Sequence, residues 1–141
     1  MSHVVKIDTE LRDLAAVEAA CKRLGWVFLR DKKTYEWYGR HVGDYPIPKG
    51  MAKEDMGKCE HAISIPGVKY EVGLVKSGSG WAPIYDFYDS SLKQAMGGIK
   101  AEKFMQAYAV EKAKIEARKK GYKCQETKLD NGSIRLTINA R

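Results

Sequence analysis

Residues 61–89 read HAISIPGVKYEVGLVKSGSGWAPIYDFYD, and the fold turns on this stretch. Apolar residues recur at alternate positions between clusters of turn formers, which predicts three strands, 61–65, 69–75 and 81–88. Pro66-Gly67 and Ser77-Gly78-Ser79-Gly80 supply the turns. Tyr70, Val72 and Leu74 alternate onto one face, as do Trp81, Tyr85 and Phe87.

Toward the N-terminus, residues 3–11 read as a further strand, with Val5, Ile7 and Leu11 among its apolar positions. Asp13 can cap the helix LAAVEAACKRL, because its carboxylate accepts from the free amides of a first turn. Leu14, Val17, Cys21 and Leu24 form one helical stripe, and Gly25 ends it. WVFLRDKKTYEWYG then predicts two strands about the turn Asp31-Lys32-Lys33. Residues 39–60 have two prolines, four glycines and mixed charge, the marks of a long irregular loop.

Toward the C-terminus a helix is expected from about Ile99 to Lys120, with Phe104, Tyr108 and Ile115 on its apolar side. Lys112 with Glu116, and Glu116 with Lys120, have the i,i+4 spacing of surface ion pairs. The last element is a hairpin, YKCQETK–LDNG–SIRLTI. A two-residue Asn131-Gly132 turn pairs Leu129 with Ile134. A three-residue loop with Gly132 left-handed instead sets Cys124 opposite Ile138 on a buried face, and it is preferred because it spares Gln125 and Thr127 from burial.

The order is therefore β-α-β-β-loop-β-β-β-α-β-β, an α+β chain with a mainly antiparallel sheet and two helices on one face. KRLGWVF at 22–28 and RKKGYKC at 118–124 repeat one order of residues, which suggests an α-β-β pseudo-repeat. A length of 141 residues suits a single domain over 1–141 with a core of its own. No apolar run approaches the roughly eighteen residues that span a bilayer, so no membrane association is expected. Three scattered cysteines and an N-terminal stretch without a secretory pattern point to a cytoplasmic protein with reduced thiols.

Three segments carry a resemblance: MSHVVKIDTELRDLAAVEAACKRLGW, YEVGLVKSGSGWAPIYDFYD and YAVEKAKIEARKKGYKCQETKLDNGSIRLTINAR. They are similar to the hypothetical chloroplast reading-frame proteins of plastids and cyanobacteria, which have relatives in other bacteria and phages and form a domain of unknown function. The likeness covers nearly the whole chain apart from the 39–60 loop. It implies no activity, cofactor or catalytic residue. Genes of this type often sit beside one for an AAA-type ATPase, which implies an accessory role with a protein partner, or a role in viral assembly if the chain is phage-borne. The Asp-Trp-Trp-Gly stretch usual in the family is altered here, where Phe87 and Tyr88 stand for the tryptophans and Asp89 for the glycine.

Chemistry-bearing residues are few. Cys59-Glu60-His61 is the one cysteine–histidine neighbourhood, and only His41 and Asp44 could complete a zinc site across the loop. As a nucleophile and base, Cys59 and His61 lack a visible orienting group. Asp86 and Asp89 lie near Tyr85 and Tyr88, but Asp86 is expected on the wet face of its strand and Asp89 as the cap of the next turn. Gly78-Ser79-Gly80 lacks the Lys-Ser/Thr of a phosphate loop. No cofactor or metal site is therefore expected, and enzymatic activity is disfavoured but left open.

A formal charge of +7 is concentrated late in the chain, where eight cations from Lys100 to Lys123 face three acids. Arg118, Lys119, Lys120, Lys123 and Arg135, with Arg141 nearby, are the candidate polyanion-binding residues, and Tyr122 could stack on a base. Cations in a last helical turn also complement the helix dipole, and glycine is an ordinary residue after a helix end. Three uses follow: an accessory protein with the 39–60 loop as its contact segment, a nucleic-acid-binding module working through the basic helix end, or, with least support, a small enzyme in which Cys59, His61 or Asp86 acts.

Overall fold

The computed structural model describes residues 2–41, 43 and 45–140. The strands are β1 (Val4–Lys6), β2 (Val27–Leu29), β3 (His61–Ser64), β4 (Val72–Ser77), β5 (Gly80–Asp86), β6 (Lys123–Lys128) and β7 (Ile134–Asn139). The helices are α1 (Leu14–Leu24), α2 (Ser90–Met96) and α3 (Glu102–Lys119), with one 3-10 turn at Lys53–Asp55. Five strands form an antiparallel sheet in the order β1-β5-β4-β3-β2, while β6 and β7 pair only with each other. The protein is thus α+β and mainly antiparallel. Among the described residues no helix is long and apolar enough to cross a membrane.

Strand alternation gives the sheet two different faces. Ile63, Val72, Leu74 and Tyr85 point to the helices, where Val17, Cys21, Leu92, Met96 and Phe104 complete the larger core. Ala62, Ile84 and Val75 point the other way and are covered by Tyr35, Met51 and Met56 from the irregular segment between β2 and β3. Tyr35 fits there because position 73 is glycine: a Cβ on Gly73 would lie 2.5 Å from its ring. The sheet is consequently dry on both sides, with helices on one and largely irregular chain on the other.

Asp13 caps α1 as expected, its Oδ1 accepting from the Ala15 and Ala16 amides at 2.9 and 3.2 Å. The Asp13 amide in turn donates to the Tyr108 hydroxyl at 3.3 Å, and its carboxylate pairs with Lys112 at 3.2 Å, which ties the start of α1 to α3. All three helices end alike. Gly25, Gly97 and Gly121 are left-handed (φ 77°, 92° and 75°), and the amide after each returns to a carbonyl five residues back. Those bonds, Trp26 to Cys21, Gly98 to Lys93 and Tyr122 to Ala117, measure 2.8, 2.8 and 3.0 Å. The matched KRLGW and RKKGY junctions are therefore helix stops.

Several sequence expectations are corrected. The segment after β2 forms no second strand, because Asp31 turns left-handed (φ 64°) and Tyr35 leaves the sheet to cover its far face. Only an isolated bridge, Thr34 to Lys58, remains, and β2 pairs with β3 instead. The α-β-β pseudo-repeat thus holds through the helix stop and the next strand but fails at the first hairpin. A third helix, α2, sits on the helical face beside the two expected, with Asp89 capping it through the Ser91 and Leu92 amides at 2.9 and 3.4 Å. On α3, Glu116 pairs with Lys112 and Lys119 rather than with Lys120, which is the C-cap.

Candidate functional site

The enzymatic candidates come apart in the structure. Cys59 packs with Tyr35 and Gly73 on the loop-covered face, whereas His61 lies between Phe28 and Trp81 on the helical face. The chain bends at Glu60 before β3 begins, so the two side chains do not share a face as regular alternation would require. Burial pushes the Cys59 thiol up to about 11 and the Cys21 thiol up to about 12, so neither is a thiolate at neutral pH. His61 Nδ1 accepts from the Asp31 amide at 2.9 Å, and burial lowers its pKa despite the Asp31 carboxylate nearby. Among the described residues no three His, Cys, Asp or Glu side chains converge as metal ligands; Asp44 lies outside them.

Asp86 is fully buried, contrary to the expected wet face. It shares the face of Ile84, and that face is covered by the chain between β2 and β3. Its Oδ1 accepts from the amides of His3 (2.8 Å) and Tyr88 (3.1 Å), and its Oδ2 from that of Tyr38 (3.2 Å). A carboxylate bonded to three backbone amides from three segments is a clamp on the chain rather than an acid or base.

The basic end of α3 is arranged differently. Arg118, Lys119 and Lys120 are all exposed around the helix stop, and Lys123 follows on β6. The β6–β7 register sets Cys124 opposite Ile138, as expected from the three-residue loop, with Gly132 left-handed at φ 86°. One face of the hairpin therefore carries Lys123, Gln125 and Thr127 with Arg135, Thr137 and Asn139, and all six residues are exposed. The inner face carries Cys124, Glu126 and Lys128 with Ile134, Leu136 and Ile138. It is only half-buried, with Ile138 44% exposed, because it stands on α3 instead of joining the main sheet.

Charge is sorted between these faces. Glu126 bonds to Arg23 of α1 and to Lys114 of α3, the latter at 2.7 Å, and Arg23 also holds Glu111 at 2.8 Å. Arg23 foremost, with Lys114, holds the Glu126 carboxyl down at about 2. The outer face has no acid at all, and the other acid of the hairpin, Asp130, lies in the turn beyond the paired residues. Of the five candidate cations only Lys119 is engaged, by Glu116 at 3.2 Å; Arg118, Lys120, Lys123 and Arg135 form no ion pair among the described residues. Tyr122, beside Lys123, is 37% exposed. Arg141 lies outside the described residues.

The structure thus joins Lys123 and Arg135 on one surface and leaves Arg118, Lys119 and Lys120 at the adjoining helix end. Sequence reasoning did not pick out Gln125, Thr127, Thr137 and Asn139, although the register it preferred already puts them on one face with the two cations. Compared with protein-family models, with curated proteins and with solved structures, the chain matches none.

Proposed function

We propose that this is a non-enzymatic accessory protein that holds nucleic acid by its phosphate backbone, on the surface formed by the end of α3 and the outer face of β6–β7. The sorting of charge across the hairpin carries this reading. Its one acid within the paired strands is turned inward and neutralised, and four exposed cations of the hairpin and the helix end form no ion pair among the described residues. Unpaired cations that meet phosphates displace the counterions condensed on them, the main source of sequence-independent affinity. The segment between residues 39 and 60 supports a partner-contact role less well, because Ile47, Met51 and Met56 are turned onto the sheet.

Fluorescence anisotropy with a labelled 20-nucleotide DNA or RNA tests the proposal. Binding is expected at about 50 mM salt and loss of most of it by about 0.5 M. The triple variant Lys119→Gln/Lys120→Gln/Lys123→Gln should weaken it at least about tenfold. No binding of any nucleic acid at low salt rules the proposal out.

A further inference from the structure

Resting on that reading, we infer that the ligand is B-form duplex DNA, with the β6–β7 ribbon lying outer face down in the major groove. Two paired strands of six residues make a ribbon about 20 Å long, with strands about 4.8 Å apart. The major groove of B-DNA, about 12 Å wide, admits such a ribbon, whereas the major groove of A-form RNA is too deep and narrow for side chains to read. The six outer side chains are of the kinds that match base edges there. Lys123 and Arg135 suit guanine O6 and N7, Gln125 and Asn139 suit adenine N6 and N7, and the Thr127 and Thr137 methyl groups suit the thymine methyl. The one acid of the paired strands, Glu126, lies on the inner face and is engaged there, which leaves the outer face without an acid.

The ribbon is also presented for insertion. It pairs with no other strand and stands away from the five-stranded sheet on α3. Arg118 and Lys120 flank its α3 end, where they would meet the phosphates bordering the groove. The charge of the partner is fixed by that of the surface: phosphate on both walls, acceptors and methyl groups on the floor.

The experiment compares a 20-base-pair DNA duplex, the RNA duplex of the same sequence and the single DNA strand by anisotropy. The DNA duplex should bind at least about tenfold more tightly than either other form. Lys123→Gln/Arg135→Gln should cost at least about tenfold, while Arg118→Gln/Lys120→Gln should flatten the dependence of log K on log salt by about two. Lys128→Gln removes the same kind of charge from the inner face and should change binding less than about twofold. Netropsin, which fills the minor groove, should leave binding intact, and methyl green, which occupies the major groove, should compete. Equal binding of the RNA duplex or the single strand, or indifference to the outer-face variant, overturns the groove assignment while leaving a general polyanion surface. Failure to bind all three removes both.

Discussion

Asp86 and Asp89 stand one helical turn apart in the sequence, and their carboxylates act at different depths. Asp86 is fully buried and joins the N-terminal strand, the Tyr38 segment and the exit of β5 through three amides. Asp89 caps α2 at the surface. Removing a buried charged acceptor leaves its donors unpaired, so Asp86→Ala should lose about 3 kcal/mol of stability, whereas Asp89→Ala should lose about 1 kcal/mol, as caps do. Urea denaturation measures both, and equal losses would contradict the clamp. The Asp89 cap was legible in the sequence because capping is local. The burial of Asp86 was not, because it depends on chain some fifty residues away folding over a face that alternation alone marks as polar.

Among the elements, the hairpin depends most on charge. Glu126, held at about 2 by Arg23 and Lys114 against an ordinary 4.5, is lowered in the folded state. Its contribution is therefore complete above pH 4.5 and is lost as pH falls toward 2. Protection of the β6 and β7 amides, relative to their intrinsic exchange rates, should fall through that window ahead of protection in the five-stranded sheet, and Glu126→Gln should show the lower hairpin protection already at pH 7. Hairpin protection unchanged over the window would contradict this. The register of this element was legible, since only one loop geometry keeps Gln125 and Thr127 out of the core. Its separation from the main sheet was not, because strand patterns do not say which strand is a neighbour. Likewise α2, seven residues long with Leu92 and Met96 as its buried contacts, is too short for periodicity to announce it.

At the scale of the whole molecule, stability and the proposed binding surface are spatially separate. The core lies on the two faces of the five-stranded sheet, and no residue of β6 or β7 is fully buried. The triple variant Lys119→Gln/Lys120→Gln/Lys123→Gln should therefore keep its Tm within about 3 °C, as exposed substitutions usually do, while losing nucleic acid. A variant that unfolds would show these lysines to be structural. The three strands of 61–89 and the helical face were legible because their apolar residues are periodic. The cover on the other face was not, because Tyr35, Ile47, Met51 and Met56 follow no period. The isolation of the hairpin has a mechanical consequence. It is a cantilever, rooted in α3 and braced by Arg23, Glu126 and Lys114, with no strand coupling it to the sheet. Load applied along a bound polymer would pass into that brace first, so the molecule should yield at the root of the lever while its core stays folded.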